Sequence, residues 1–211
     1  WLDPRVGATV ANFDKWRDQL KALVKMAAYD DQVIAAAPAV IEMYPEYVGD
    51  ANGYEFLANA QLVKGNKQAA ADALTAYEKM GGESPEALRK LASLEEELGR
   101  PKDAAATLDR INFIYPEDED LHRKLGGLWL AQGNNAGAVR EYTAVLALKP
   151  LDMASAQFDV ARAYYAEGNK AKAEESVLAS LEVAPGFKPA QKLLLEIEAG
   201  KSSNTDTNSP K

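Results

Sequence analysis

The sequence contains no cysteine and a single histidine, His122. Without thiols there is neither a disulfide framework nor a thiolate metal site. One histidine excludes the two-histidine zinc motif HExxH, and any Ser/His/Asp machinery would have to be built on His122. No phosphate loop of the form GxGxxG or GxxxxGKS/T occurs; the nearest pattern, Gly126-Gly127, sits inside a helical stripe. No apolar run approaches the roughly 18 residues that span a bilayer, so membrane insertion is not expected. Positive charge is in short supply, with 24 Lys and Arg against 32 Asp and Glu and a net charge of −8. Nucleic acid is therefore a poor partner, because phosphate binding needs a cationic surface. The chain opens on Trp1 without a charged n-region and apolar core, and it reads as a fragment or processed product that carries no address for a compartment. Clusters of Val, Ile, Thr and Phe are sparse while Ala and Leu abound, which favours helix over strand.

What is present is periodicity. Residues 1–11 contain Pro4 and Gly7, show no sustained period and read as a linker. From Asn12, the residues Phe13, Trp16, Leu20, Leu23, Val24 and Ala27 step at three and four positions, one apolar stripe of a helix reaching about Ala28. Asp30 and Asp31 open a second helix with Val33, Ile34, Ala37, Val40 and Ile41 on its apolar side. Pro38 falls inside that helix, where a kink or break is expected. Residues 12–50 thus form a degenerate helix pair, closed by Tyr44-Pro45 and a short insertion from Glu46 to Asp50.

The next four units share one register. Residues 119–152 give His122-x2-Leu125-Gly126-x2-Trp129, Ala138-x3-Tyr142 and Pro150. Residues 51–84 give Tyr54-x2-Leu57-Ala58-x2-Gln61 and Ala70-x3-Leu74, with Gly82 at the closing position. Residues 85–118 give Leu88-x2-Leu91-Ala92-x2-Glu95, Ala104-x3-Leu108 and Pro116, and residues 154–187 give Gln157-x2-Val160-Ala161-x2-Tyr164, Ala173-x3-Val177 and Pro185. Gly65, Gly99, Gly133 and Gly168 recur at 34, 34 and 35 residues, between two helical stripes each time. A left-handed residue after a helix end favours glycine there. The small residues Ala58, Ala92, Gly126 and Ala161 allow two helices to approach closely. Ser84, Asp118 and Asp152 stand where helix N-caps belong, and Pro85 and Pro189 suit a first turn. Residues 188–199 carry Leu193, Leu194 and Ile197 beside Lys192, Glu196 and Glu198, as a capping helix requires. Gly200 ends that helix, and residues 200–211 read as a disordered polar tail.

This register resembles the tetratricopeptide repeat, a helix–turn–helix of about 34 residues. The resemblance covers residues 51–199, and 12–50 more loosely. It implies an all-α, right-handed α–α superhelix of about five helix pairs plus a C-terminal capping helix. It also implies a protein–protein interaction scaffold rather than an enzyme. The segment from Leu121 to Leu195, with LHRKLG and APGFKPAQKLLLEI, further resembles the repeat tails behind bacterial metalloprotease-like domains. In that reading the chain is a non-catalytic accessory domain and any catalytic domain lies outside it. Self-assembly through the Trp16 end or the capping helix is a third reading, so the oligomeric state is open. The motif also places Trp129 in the core, where truncation to Ala costs roughly 3–5 kcal/mol.

In such arrays the first helix of each unit lines a concave groove, so its positions not needed for packing are the contact surface. Here they comprise Phe56, Asn59 and Leu62, then Arg89, Lys90 and Ser93, then Arg123, Lys124 and Gly127, then Phe158, Arg162 and Tyr165. Cations on successive helices of an acidic chain focus a local positive field, and Arg forks suit carboxylates. The candidate peptide-binding residues are therefore Phe56, Asn59, Arg89, Lys90, Arg123, Lys124, Phe158, Arg162 and Tyr165, and the fitting partner is an acidic segment or a C-terminal carboxylate. The alternative is that these cations pair only with neighbouring acids such as Glu86 and Asp120. A subset of these repeat domains clamps acidic chaperone tails with a Lys/Asn pair. The aligned residues are Glu55 and Asn59, so the leading lysine is replaced by an acid. His122 falls at a large packing position, and the acid runs 95–97 and 117–120 lack spaced calcium-ligand chemistry. No cofactor or metal ligand set follows from the sequence.

Overall fold

A computed structural model describes residues 10–25 and 30–205, and these form eleven helices. They are α1 (Val10–Lys25), α2 (Asp30–Met43), α3 (Gly53–Val63), α4 (Lys67–Lys79), α5 (Pro85–Glu97), α6 (Pro101–Ile114), α7 (Glu119–Ala131), α8 (Asn135–Ala147), α9 (Met153–Glu167), α10 (Lys170–Val183) and α11 (Lys188–Thr205). They group into two compact units, divided between Ile114 and Tyr115. Residues 1–9 of the linker expected over 1–11, the end of the first helix near Ala28 and the last six residues lie outside the described residues.

In the first unit, the α1 stripe behaves as the periodicity implies. Phe13, Trp16 and Leu20 are buried against Val33, Ala36, Ala37 and Val40 of α2 and Ala60 of α3. Trp16 is only 7% exposed, so it is a core residue and not the exposed end expected of a self-assembly surface. The helix also begins at Val10, two residues before the expected start. Pro38 does not break α2, which is continuous from Asp30 to Met43. The ring is on the exposed side of the helix, while Ala37 and Val40 hold the inner side in the core. Burial of that inner side outweighs one lost backbone bond.

The second core of this unit joins Tyr54 and Ala58 of α3, Ala70, Leu74 and Tyr77 of α4, and Ala87 and Leu91 of α5. Its tightest point explains why Gly82 stands where later units carry proline. A Cβ at Gly82 would lie 2.3 Å from the Tyr77 ring, and the Tyr77 hydroxyl accepts the Ser84 N–H at 3.0 Å. That ring fixes the α4–α5 turn. The caps then follow their sequence signals: Ser84 accepts from Ala87 N–H, Asp118 from Leu121 N–H and Asp152 from Ser155 N–H, at 3.3, 2.9 and 3.0 Å.

In the second unit, Ala138, Tyr142, Val160 and Ala163 form one core cluster, and Ala161, Ala173, Val177, Ala190, Leu193 and Ile197 form another. Gly126 meets its expectation, since a Cβ there would approach the Tyr142 ring at 2.9 Å. Trp129 does not: it is half-buried, with the Arg140 guanidinium 4.5 Å from its ring centre. Its ring also lies over Gly137, where a Cβ would come within 2.6 Å. A partly covered ring has less apolar area to lose, so the cost of Trp129→Ala falls below that of a fully buried tryptophan. The last helix continues through Gly200 to Thr205. One glycine costs a helix only about 1 kcal/mol and is not by itself a stop. The turn glycines Gly65, Gly99, Gly133 and Gly168 all have φ between 74° and 85°, the conformation their spacing implies.

Candidate functional site

The candidate contact residues divide between the two units, and each set is built from first helices. In the first unit α3 presents Phe56 and Asn59, and α5 presents Arg89 and Lys90. Phe56 is half-buried and packs on the N-terminal core, so its ring serves the fold. Lys90 donates to the Asn59 side-chain oxygen at 2.7 Å and lies 3.9 Å from Glu86 on its own helix. Arg89 is half-buried. Glu55, the acid at the lysine position of the chaperone-tail clamp, accepts from the Asn52 side chain at 2.7 Å while its own N–H donates to Asn52 at 2.9 Å. Glu55 is thus committed to the start of α3. A recess of about 550 Å³ in this unit has Asp50, Glu55, Glu83 and Glu86 in its lining beside Tyr77, and neither Arg89 nor Lys90 is part of it.

The second unit gathers its candidates more closely. Phe158, Arg162 and Tyr165 step at four and three residues along α9, which places them on one side of the helix. The Asp152 cap fixes the start of α9, Gly168 ends it, and the Ser180 hydroxyl donates to the Ala154 carbonyl at 2.7 Å to pin α10 against it. Phe158 stands edge-to-face on Phe187 at 5.4 Å, and the Arg162 guanidinium lies 5.8 Å from the Phe158 ring centre. All three line a recess of about 410 Å³ with Leu130 of α7 and Pro189, Lys192, Leu193 and Glu196 of α11. The floor is mostly hydrocarbon and aromatic, with Arg162 and Lys192 as its cations and Glu196 as its acid. Lys192 and Glu196 lie 3.8 Å apart.

Beside this recess one carboxylate serves two guanidiniums. Asp159 accepts from Arg123 at 3.1 Å through Oδ2 and from Arg162 at 3.3 Å through Oδ1. Arg123 also donates to Glu119 at 3.0 Å. Its acid partners are Glu119 and Asp159. Burial pushes the Asp159 carboxyl above its ordinary value, while the charges of Arg162 and Arg123 pull against that rise. Lys124 is exposed on the same helix as Arg123, and Gly127 is half-buried beneath the Tyr142 hydroxyl.

Sequence reasoning missed Asp159, Leu130, Lys192 and Glu196. Lys192 and Glu196 had a visible signal, an i, i+4 pair on the last helix, but reading that helix only as a polar cap hid their place beside α9. Asp159 had half a signal, its i, i+3 spacing to Arg162, but its bond to Arg123 depends on a residue 36 positions away in the sequence. Among the described residues, no group of three or more His, Asp or Glu side chains is placed to hold a metal ion. No described helix is long and apolar enough to cross a membrane.

The family model described as Tetratricopeptide repeat matches residues 57–119 and 124–186, together more than half of the chain. The chain belongs to the tetratricopeptide repeat family. Members of this family are helical-repeat modules for protein–protein interaction and are generally non-catalytic scaffolds. Solved tetratricopeptide repeat structures share the fold. YrrB, described as "a TPR protein with an unusual peptide-binding site", is 19% identical, with 89% of this chain and 92% of that one covered and a TM-score of 0.57. MamA from Desulfovibrio magneticus RS-1, from its residue 41 onward, is 20% identical over 76% of this chain and 90% of its own, also with a TM-score of 0.57. A tetratricopeptide repeat protein from Parabacteroides merdae ATCC 43184 is 16% identical over 92% and 75%, with a TM-score of 0.52. Among curated proteins no match to this chain is found.

Proposed function

We propose that this chain is a protein–protein interaction scaffold whose C-terminal unit takes an acidic segment of a partner chain in the recess between α9 and α11. The observation that carries the reading is the shared recess of Phe158, Arg162, Tyr165, Lys192 and Leu193. An apolar floor rewards burial of a leucine or phenylalanine side chain, and the flanking cations favour a neighbouring carboxylate. In a chain of net charge −8, a recess holding two cations and one acid is locally the wrong sign for the rest of the surface and the right sign for an acidic ligand. Asn59, Lys90 and Arg89 of the first unit enter this reading only as helix-surface residues, since Lys90 is engaged with Asn59 and Glu86.

The test uses fluorescence anisotropy with an amidated heptapeptide carrying Leu and Phe on either side of Glu, beside its Gln counterpart. The acidic probe should bind more tightly, with an affinity that falls as salt rises. Reversing both Arg162 and Lys192 to Glu should weaken it at least tenfold while the helical circular dichroism spectrum is kept. An acidic probe that binds no better than its Gln counterpart, or a double reversal without effect, would sink the proposal.

A further inference from the structure

Resting on that reading, we propose that Asp159 is an internal competitor beside the recess: it orients Arg162 but holds back the site's attraction for a ligand carboxylate. Three observations carry this. Asp159 stands between Arg123 and Arg162, with one oxygen on each guanidinium. Its side chain is 20% exposed, against 46% for Arg162, so the shared carboxylate lies deeper and the arginine faces outward. Arg123 has Glu119 as a second acid partner at 3.0 Å, whereas Arg162 turns its other side to the Phe158 ring and the recess.

A guanidinium has five N–H donors in a rigid fork, and one carboxylate oxygen at 3.3 Å occupies only part of that capacity. An incoming carboxylate can therefore engage Arg162 without displacing Asp159. It must then sit a few ångströms from a like charge, which lowers its affinity relative to a neutral group in the same place. The arrangement acts as a filter. Apolar contact alone is unaffected by Asp159, while the added benefit of an acid is capped. Arg123 matters because it draws part of the Asp159 charge away from Arg162.

The test compares the Glu and Gln probes on the full chain and on two variants of opposite expected sign. Asp159→Asn keeps an acceptor for the arginines but removes the competing charge. It should strengthen binding of the Glu probe about fivefold at low salt and change the Gln probe less than about twofold. Arg123→Gln leaves Asp159 to Arg162 alone and should weaken the Glu probe selectively. If Asp159→Asn weakens both probes equally, or changes neither, Asp159 is only a structural ion-pair member and the inference falls while the recess reading stands. If Asp159→Asn does not fold, an unchanged or tighter Glu probe on Arg123→Gln overturns the inference, and selective weakening supports it. Failure of the unaltered chain to distinguish the two probes overturns both the inference and the reading beneath it.

Discussion

The Nδ1 atom of His122 lies 2.6 Å from Oε2 of Glu141, with both side chains at most 5% exposed. The other ring nitrogen faces the Pro116 carbonyl at 2.8 Å, and the second Glu141 oxygen accepts from Arg140 at 2.7 Å. Both ring nitrogens thus face oxygen atoms of the protein, one on α8 and one on the segment before α7. The only histidine of the chain thus ties α7 to α8 and to the segment entering α7.

Replacing His122 with Leu removes the imidazole partner of a buried acid, and Oε2 of Glu141 loses that contact while Oε1 keeps Arg140. The expected loss is about 3 kcal/mol in urea unfolding. The paired replacement His122→Leu with Glu141→Leu should cost less than His122→Leu alone, because two apolar side chains need no partners. A double variant less stable than the single one would show that the pair is not the source of the cost.

Glu95 gives a pH-dependent prediction. It is buried on α5, where the Thr107 hydroxyl donates to it at 2.9 Å. Burial raises its pKa above the ordinary glutamate value, against the opposing Thr107 hydrogen bond, with Asp103 and Glu78 adding to the rise. With the folded pKa raised, the folded state keeps this proton to higher pH than the unfolded chain. The cost of ionising it is absent below the unfolded value, about 4.3, and fully present above the raised one. Glu95→Gln keeps an acceptor for Thr107 and carries no charge. It should be more stable than the unaltered chain at pH 7, with the difference shrinking as pH falls toward 4. A difference that stays constant from pH 4 to 7 would exclude titration of Glu95 as its cause.

The repeat register was legible because packing in this fold is local: a small residue at one position and a glycine turn a fixed distance later recur with the geometry that requires them. Gly126 against Tyr142 is read directly from that register. Gly82 against Tyr77 is not, because the ring that fills the position of the later prolines comes from the preceding helix. Trp129 shows a different limit. The register identifies a large residue there, but how much of it is covered depends on Gly137 and Arg140. The same holds for the candidate site. Helical spacing brings Phe158, Arg162 and Tyr165 to one side of α9. The i, i+3 spacing of Asp159 and Arg162 is legible too, whereas the Arg123 bond to Asp159 and the last helix that completes the recess are tertiary facts. Charge patterning alone could not separate Lys90, engaged with Asn59, from Arg162, turned toward a recess.

The last prediction concerns α2, which runs without interruption through Pro38. Proline has no N–H to donate to the Ile34 carbonyl, and in a helix interior it is about 3 kcal/mol less favourable than alanine. Its ring is exposed, so Pro38→Ala removes no core contact. The new N–H can complete the helix ladder. Against this, alanine gives the unfolded chain more freedom, an effect of about 1 kcal/mol in the opposite direction. The net expectation is a gain of about 2 kcal/mol for the N-terminal part of the first unit. Native-state hydrogen exchange resolves that part separately from the rest of the array, and protection should rise at the α2 amides whose carbonyl partners lie on either side of Pro38. Unchanged or reduced protection would mean that proline at this position stabilises something other than α2, since the helix itself can only gain from the substitution.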